Sequence, residues 1–444
     1  MSKVNGARPR RVLVLCRAVF GPRMSSPGIR ARHMAEVLSE QLPDIEVTLG
    51  VPTGSQPVSD PATTKYRFAT FSQRKLPGLM MANDIIICHE YPPTALLAFP
   101  WKTLVLDYYT IFYIEWMENS RDSLRDSAAK RAAWMSGARR RIGAELLFAD
   151  FLTCANERQK DYFIGAMIGL GLIDPQAYDR DPSLKRLIAT APHGIRSDEL
   201  VAGETRVIKG VYGGVRETDH LIIWNGGILQ WYDPATLLHA LARIKRHRDD
   251  VKLVFVGGAY PGLGGMGLGR RFQETVELAR ELDLYNNTVF FELAWVPYDK
   301  IKDYMLEADL AVCTYFDNME THFSLRTRFV DVFWAELPLI CTQGDVFAQD
   351  VRDRGLGVAV PPEDPEALAE AIERIVDDTS FREQCRRNIR QYNQEMSWEQ
   401  TLQPFVEFCR NPETYALPKW RRVPLALGAW AQWVASRAVG MWIR

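Results

Sequence analysis

The stretch HLIIWNGGILQWYDPATLLHALARIKRHRDDVKLVFVGG, residues 220–258, decides the fold class of this chain. It begins with an apolar run that ends in two glycines and continues behind Pro234 with apolar residues at helical spacing. It closes with a second apolar run that again ends in two glycines. Short apolar runs that alternate with amphipathic helices are typical of β-α units around a parallel sheet. The alternation continues to PEALAEAIERIVDD (365–378), so this half of the chain is predicted to be one parallel-sheet domain.

An earlier series of the same kind predicts a second domain. Its apolar runs and first helix are RVLVLC (11–16), IRARHMAEVLSEQL (29–42), EVTLGVP (46–52), DIIICHEYP (84–92) and KTLVLDYYT (102–110). A long basic helix is predicted for residues 120–147. We expect an N-terminal Rossmann-like domain over 1–196, an inter-domain connection over 197–219, a C-terminal Rossmann-like domain over 220–396, and a return helix with a Trp-rich basic tail over 397–444. The two domains are expected to face a central cleft.

Composition excludes several classes of protein. The 444 residues carry 54 Lys and Arg against 55 Asp and Glu, a formal charge of 54 − 55 = −1, so no nucleic-acid partner is expected. The seven cysteines are scattered without a Cys-x-x-Cys pair, which argues against a disulfide framework or a zinc site. This use of cysteine favours a location of the protein in the reducing cytoplasm. No run approaches the ~18 apolar residues of a membrane span.

The tail from Pro418 leaves two interpretations open. Trp420, Trp430, Trp433 and Trp442 stand among apolar and basic residues, which suits a helix lying in the interface of an anionic membrane. A C-terminal helix packed on the first domain has the same pattern. The membrane interpretation would place the protein peripherally on the inner face of the plasma membrane.

Three strand-to-helix turns have the composition of anion sites. Gly226 and Gly227 permit close approach of a ligand to backbone amides. The segment ETHFSLRTRFVDVFWAELPLICTQGD (320–345) contains the start of a predicted helix with Arg326 and Arg328 in its first turn, which suits the binding of a diphosphate. Asp331, further along that helix, can accept hydrogen bonds from ribose hydroxyls. The first loop sets four candidate acceptor or phosphate residues before a helix: Ser25, Ser26, Gly28 and Arg30. One ligand held between two domains would use all three turns.

Other patterns are weaker. GLGGMG (262–267) fits the dinucleotide fingerprint, but it starts too far beyond its strand and is interpreted as a surface loop. No His, Glu and Cys cluster has metal spacing, so neither a metal site nor a cofactor is expected.

The late segment FSLRTRFVDVFWAELPLICTQGD (323–345) resembles the family 4-type retaining glycosyltransferases of the GT-B fold, in a bacterial branch with FSxRTR. MSSPGIRARHMAEVL (24–38), WNGGILQWYDPATLL (224–238), AWVPYDKIKDYMLEADLAV (294–312) and SWEQTLQPFVEF (397–408) are similar to other parts of that branch. The resemblance covers roughly residues 11–410. It implies a hexosyl- or deoxyhexosyltransferase, in which a nucleoside diphosphate leaves the donor sugar without the help of a metal ion. The anomeric carbon of the transferred sugar keeps its configuration.

The chain departs from the common family pattern at the late segment. Two glutamates eight positions apart are usual there, and this chain has Phe323 and Asp331 at those positions. Glu320 or His322 is the candidate replacement for the first. The usual Arg and Lys after the glycine turn fall at Ile228 and Asp233, so Arg326 and Arg328 become the candidate partners of the leaving diphosphate.

The resemblance also assigns roles elsewhere. Asp107 lies where relatives often place a histidine near the sugar, so it is a candidate catalytic residue beside Arg326 and Arg328. The alternative role for Asp107 is a helix or loop cap. His193 matches a structural hinge. Donor-binding candidates are Gly226, Gly227, Trp295, Val296, His322, Phe323, Ser324, Leu325 and Asp331.

The expected function is transfer of a sugar from a nucleotide-sugar donor to a saccharide or lipid-linked acceptor in bacterial surface polysaccharide or glycoconjugate synthesis. The sequence also leaves two alternatives open. One is a non-hydrolysing nucleotide-sugar epimerase, which shares the fold, and the other is a catalytically silent carbohydrate-binding protein, suggested by Phe323.

Overall fold

A computed structural model of the chain describes residues 9–58, 64–91, 101–123, 127–201, 203, 206–258, 269–413 and 422. The chain divides into an N-terminal unit of residues 1–113, 124–192 and 401–444 and a C-terminal unit of residues 114–123 and 193–400. The predicted connection, 197–219, belongs by its contacts to the C-terminal unit. The GLGGMG loop and, apart from Arg422, the tail from Pro418 lie outside the described residues.

The N-terminal unit is an α/β layer built on parallel strands. Its strands are β1 (Arg10–Leu15), β2 (Ile45–Pro52), β3 (Arg67–Phe71), β4 (Ile85–Cys88), β5 (Thr103–Tyr108), β6 (Phe151–Cys154) and β7 (Ile188–Thr190). Its helices are α1 (Ser26–Gln41), α2 (Leu76–Met81), α3 (Phe112–Ser123, of which 114–123 belong to the other unit), α4 (Ala128–Phe148), α5 (Glu157–Gly169), α6 (Pro175–Arg180) and, after the return, α16 (Gln403–Arg410).

The order of these strands is β3-β2-β1-β4-β5-β6-β7. Strand β1 pairs in parallel with β2 on one side and β4 on the other. The continuous apolar runs of β1, β4 and β5 are buried, as expected for strands covered by helices on both faces. The chain therefore winds outward in two directions from β1. The connections that leave the paired carboxyl ends of β1 and β4 run in opposite directions, which creates a topological switch point.

The C-terminal unit repeats this plan with six strands. These are β8 (His220–Asn225), β9 (Val251–Val256), β10 (Val289–Glu292), β11 (Leu310–Cys313), β12 (Leu339–Thr342) and β13 (Gly357–Val360). The helices between and after them are α7 (Pro234–Ile244), α8 (Arg270–Glu281), α9 (Ile301–Glu307), α10 (Met319–Phe323), α11 (Arg328–Trp334), α12 (Val346–Arg354), α13 (Pro365–Asp377), α14 (Thr379–Glu395) and α15 (Trp398–Thr401). The strand order is β10-β9-β8-β11-β12-β13, so the switch point lies between β8 and β11.

Two predicted helices differ in the structure. The basic helix predicted over 120–147 is two helices, α3 and α4, and the second starts where the Ser127 side chain accepts a hydrogen bond from the amide of Lys130. The helix predicted to contain Arg326 in its first turn begins at Arg328 instead, and a short helix, α10, occupies part of the predicted loop. Local capping by Asn318 stabilises α10, because its side chain accepts from the amide of Thr321.

Arg422, the one described residue of the tail, packs on the N-terminal unit. Arg422 is 2% exposed, and its guanidinium donates to the carbonyls of Leu147 and Ala149 and to a carboxylate oxygen of Asp150 at 3.0 Å. The other Asp150 oxygen accepts from the amide of Leu104 at the start of β5. In the described part of the chain, no helix is both long enough and apolar enough to cross a membrane.

We expect Arg422→Ala to lower the free energy of unfolding by about 3 kcal/mol, because it leaves the buried Asp150 carboxylate without its charged partner. Arg390→Ala, which breaks an exposed pair with Glu336, is the control and should have little effect. Urea unfolding measures both. Equal stability of the two variants would show that Arg422 contributes nothing to the fold.

Candidate functional site

The glycine turn, Gly226–Gly227, follows β8 at the switch point of the C-terminal unit. Gly226 has a φ of +95°, a conformation that favours glycine. A β-carbon at Gly226 would lie 3.3 Å from Cζ of Arg328, and one at Gly257 would lie 2.9 Å from the α-carbon of Gly226. Close packing therefore favours glycine at positions 226 and 257. The role of Gly257 was not predicted from the sequence.

Arg328 reaches from the first residue of α11 to the glycine turn. Its Nη2 donates to the carbonyl oxygen of Gly227 at 2.8 Å. Its guanidinium lies 4.0 Å from the ring centre of Tyr232 and 5.7 Å from that of Trp224. Nη1 is buried and has no hydrogen-bond partner among the described residues. A fixed cation with a donor that makes no hydrogen bond, beside half-buried glycine backbone at a switch point, is suited to an anionic ligand.

Arg326 is placed differently, against the expectation that it contacts a diphosphate. It is 3% exposed, and it donates to both carboxylate oxygens of Glu320 at 2.8 and 2.7 Å. Its Nε lies 3.5 Å from Oδ2 of Asp345. Because its charge is already balanced by buried carboxylates and its side chain is 3% exposed, Arg326 lacks the accessibility of a phosphate ligand, although its Nε makes no hydrogen bond among the described residues. The same pairing speaks against Glu320 as the replacement for the missing family glutamate.

The remaining predicted donor residues lie on two loops after strands of this unit. In the late loop, which we define as residues 318–327, His322 is exposed, Phe323 and Ser324 are half-buried, and Leu325 is buried. Trp295 and Val296, which follow β10, are half-buried. These positions leave backbone and side chain of both loops accessible to a ligand, apart from Leu325.

Asp331, the candidate ribose acceptor, lies one turn beyond Arg328 on α11. Asn225 Nδ2, at the end of β8, is 3.4 Å from its Oδ2. Desolvation raises the pKa of Asp331 to about 6, although the nearby charge of Arg196 acts in the opposite direction. Arg196 itself packs between Tyr298 and Trp334, with ring centres 5.0 and 4.0 Å from its Cζ.

In the N-terminal unit, the structure pairs two predicted site residues with each other. Arg30 donates to both carboxylate oxygens of Asp107, at 2.6 and 2.8 Å, and to the carbonyls of Ala191 and Pro192. Both side chains are buried, and Thr153 donates to the same carboxylate. This geometry is against a direct catalytic role for Asp107 and against an anion-binding role for Arg30, because each satisfies the other.

The other candidates of the first loop, Ser25, Ser26 and Gly28, make contacts within the N-terminal unit. The amide of Gly28 donates to the carbonyl of Ser25, and a β-carbon at Gly28 would lie 2.9 Å from that of Met24. Gly28 is therefore needed for packing. Ser26 Oγ lies 3.4 Å from the hydroxyl of Tyr109, and Ser25 and Ser26 are both half-buried at the start of α1.

A cavity of about 240 Å³ lies at the switch point of the N-terminal unit. Its wall includes Arg17, His89, Glu90, Tyr109 and Phe112, beside the Arg30–Asp107 pair. His89 Nδ1 hydrogen-bonds the carbonyl of Asp107 at 2.7 Å, and the imidazole stacks on Tyr109 with ring centres 4.4 Å apart. Burial lowers the pKa of His89, which favours the neutral ring.

The grouping of Arg17, His89 and Glu90 was missed as a site from the sequence. His89 stands at a strand end, which was a visible signal, but the pairing of β1 with β4 that brings it near Arg17 becomes evident only in the fold. Among the described residues, no group of three or more His, Cys, Asp or Glu is arranged to hold a metal ion.

Known proteins with the same architecture support these assignments of fold. Residues 213–392 match the family model of the glycosyl transferases group 1. The C-terminal unit therefore contains a glycosyl transferases group 1 domain. No curated protein sequence matches the chain significantly.

Several solved structures resemble the chain over most of its length. A glycosyltransferase from Rickettsia africae is 15% identical, with a TM-score of 0.60 over 91% of this chain and 98% of that one. The Anabaena protein HepE in complex with UDP and glucose is 15% identical, with a TM-score of 0.58 over 90% and 99%. WaaG, a glycosyltransferase involved in lipopolysaccharide biosynthesis, is 15% identical, with a TM-score of 0.57 over 90% and 100%. The predicted GT-B fold, with two Rossmann-like parallel-sheet domains, is confirmed.

We expect Asp107→Asn to destabilise the protein by about 3 kcal/mol, because it leaves the Arg30 guanidinium buried without a counter-charge. Asp353→Asn, at an exposed pair with Arg352, is the matched control and should change stability little. Both are measured by urea unfolding. A stable Asp107→Asn variant that has lost activity would restore the catalytic interpretation of Asp107.

Proposed function

We propose that this protein is a metal-independent, retaining glycosyltransferase that moves a sugar from a nucleotide-sugar donor to a saccharide or lipid-linked acceptor. The observation that carries the proposal is the Arg328 guanidinium, fixed against the glycine turn with Nη1 unpartnered, inside a glycosyl transferases group 1 domain. The structure of HepE with UDP and glucose, which has a similar fold, supports a nucleotide-sugar donor.

The chemistry follows from charge. A nucleoside diphosphate that leaves the sugar develops negative charge on its phosphates, which preorganised donors stabilise. In this chain, Arg328, the amide of Gly227 and amides of the late loop would supply those donors, since Arg326 is already paired and the amide of Gly226 donates to the carbonyl of Val256. Asp331 would hold the ribose hydroxyls. Retention of configuration is what the resemblance to family 4-type enzymes implies: the acceptor attacks from the face that the diphosphate leaves.

The cavity in the N-terminal unit supports an acceptor site there. A volume of about 240 Å³ can hold a single sugar ring, and His89, Glu90 and Arg17 present polar groups to it. Arg17 and Glu90 form a half-exposed ion pair at 3.4 Å, which an incoming hydroxyl can enter as donor or acceptor.

The biological setting is proposed as bacterial surface polysaccharide or glycoconjugate synthesis at the inner face of the plasma membrane. The involvement of WaaG in lipopolysaccharide biosynthesis supports the first part. The aromatic and basic composition of the tail supports the second, since residues 425–444 carry Arg437 and Arg444 with no acidic residue.

Binding of the donor can be tested with a thermal-shift panel of UDP, GDP and ADP, followed by calorimetry with the strongest ligand. Arg328→Gln should weaken that affinity at least about tenfold, because a charge-assisted contact to phosphate is lost. Arg354→Ala, which breaks an exposed pair with Glu395, is the control. Unchanged affinity in Arg328→Gln would refute the assigned phosphate site.

Transfer itself separates this function from the alternatives. With a nucleotide sugar and a saccharide acceptor, we expect a new glycoside and release of nucleoside diphosphate. A changed hexose in the absence of acceptor would instead identify an epimerase. Nucleotide binding without turnover on any acceptor would favour a silent carbohydrate-binding protein, which Phe323 suggested.

For the tail, we expect a chain that ends at Pro424 to co-sediment less with anionic liposomes than the full chain does. This truncation keeps Arg422 and its buried pair with Asp150, so the fold should be preserved. The difference should shrink at high salt, because the attraction of Arg437 and Arg444 to lipid is screened. Equal sedimentation of both chains would favour a tail that packs on the protein.

A further inference from the structure

The late loop contains a buried arginine, Arg326, that ties the α10 part of the loop to its end and faces the start of α12. The Arg326 guanidinium binds the carboxylate of Glu320 on α10 and the hydroxyl of Thr321, and it faces Asp345 at the start of α12. Ser324 Oγ donates to Glu320 at 2.7 Å, which fastens the middle of the loop to the same carboxylate. The loop is therefore tied at several points to one cationic group.

Aromatic rings complete the enclosure of Arg326. Its Cζ lies 4.6 Å from the ring centre of Tyr315 and 5.2 Å from that of Tyr232. Tyr232 is also the ring on which Arg328 stacks, at 4.0 Å. Arg326 therefore packs against the Tyr232 ring on which Arg328 stacks. Loss of Arg326 would disturb both the late loop and the position of Arg328 at the glycine turn.

Asp345 has a second role that makes the cluster rigid. Its Oδ1 accepts from the amide of Ala348 at 2.7 Å and so caps α12. Removing Arg326 from between Glu320 and Asp345 would leave two buried carboxylates facing each other, which is costly at low dielectric. Arg326 therefore cannot swing outward to a ligand without a large electrostatic penalty.

We propose that Arg326 is a positioning residue for the diphosphate of the donor: together with Glu320 and Asp345 it fixes the late loop and the support of Arg328, and it does not touch the ligand. This inference rests on the proposed function. It divides the FSLRTR segment into an inner arginine that sets geometry and an outer arginine that binds.

The two roles for Arg326 predict opposite effects when Glu320 loses its charge. If Arg326 bound the diphosphate directly, Glu320→Gln would free it and remove a nearby negative charge, so affinity for the anion would rise. If Arg326 positions the loop, Glu320→Gln loosens the loop and affinity falls. The sign of one measurement therefore distinguishes them.

The experiment compares, by calorimetry, the nucleoside diphosphate with the largest thermal shift and the corresponding nucleoside. We expect Glu320→Gln and Arg326→Lys each to weaken the diphosphate about tenfold while the nucleoside changes little, because the loop meets the phosphates. Asp345→Asn, which keeps an oxygen to cap α12, should act in the same direction and replaces Glu320→Gln if that variant does not fold. Asp353→Asn is the surface control.

Tighter or unchanged diphosphate binding by Glu320→Gln and Asp345→Asn would overturn the positioning role. An equal loss for diphosphate and nucleoside would also overturn it, because the cluster would then hold the unit as a whole. A wild-type chain that binds none of the three nucleotides would contradict the proposed function itself, and the role of Arg326 would fall with it.

Discussion

The contact between Arg328 and the glycine turn is the interaction on which the candidate site depends. A left-handed glycine at the end of β8 removes the β-carbon that would crowd the guanidinium, and the carbonyl of Gly227 then holds Nη2 in place. An arginine on α11 thereby reaches the switch point of the sheet, where parallel α/β units bind ligands. The chain has Ile228 and Asp233 at the two positions where the family 4-type glycosyltransferases that the sequence resembles have cations, and Arg328 brings a cation to the same turn from another helix.

Charge compensation separates binding residues from supporting residues in both units. Arg326 and Arg30 are buried against carboxylates, Glu320 in one case and Asp107 in the other, so neither has charge to offer a ligand. A buried arginine paired in this way stabilises local geometry, and removing its partner is expensive. Among the described residues, Arg328 forms no ion pair with a carboxylate, and it is this difference in charge compensation that marks it as a binding group.

Much of the fold could be predicted from the sequence. The continuous apolar runs of β1, β4, β8 and β9 identify buried parallel strands. The two glycines that follow β8 mark a turn that a ligand can approach. The side-chain pairing could not be predicted, because Arg30 and Asp107, or Arg17 and Glu90, come from distant segments that are brought together only when the helices and strands pack. In the late segment, even a pairing between residues six positions apart could not be predicted. Because the short helix α10 forms and the next helix begins only at Arg328, Arg326 lies outside the predicted first turn and pairs with Glu320.

The central claim is that the leaving diphosphate binds where Arg328 meets the glycine turn. A crystal structure of the chain with the bound nucleoside diphosphate tests this most directly. We predict that phosphate oxygens lie within hydrogen-bond distance of Arg328 Nη1 and of amides in the glycine turn or the late loop, with Arg326 still paired to Glu320. A diphosphate bound elsewhere, or one that has drawn Arg326 away from Glu320, would contradict the account.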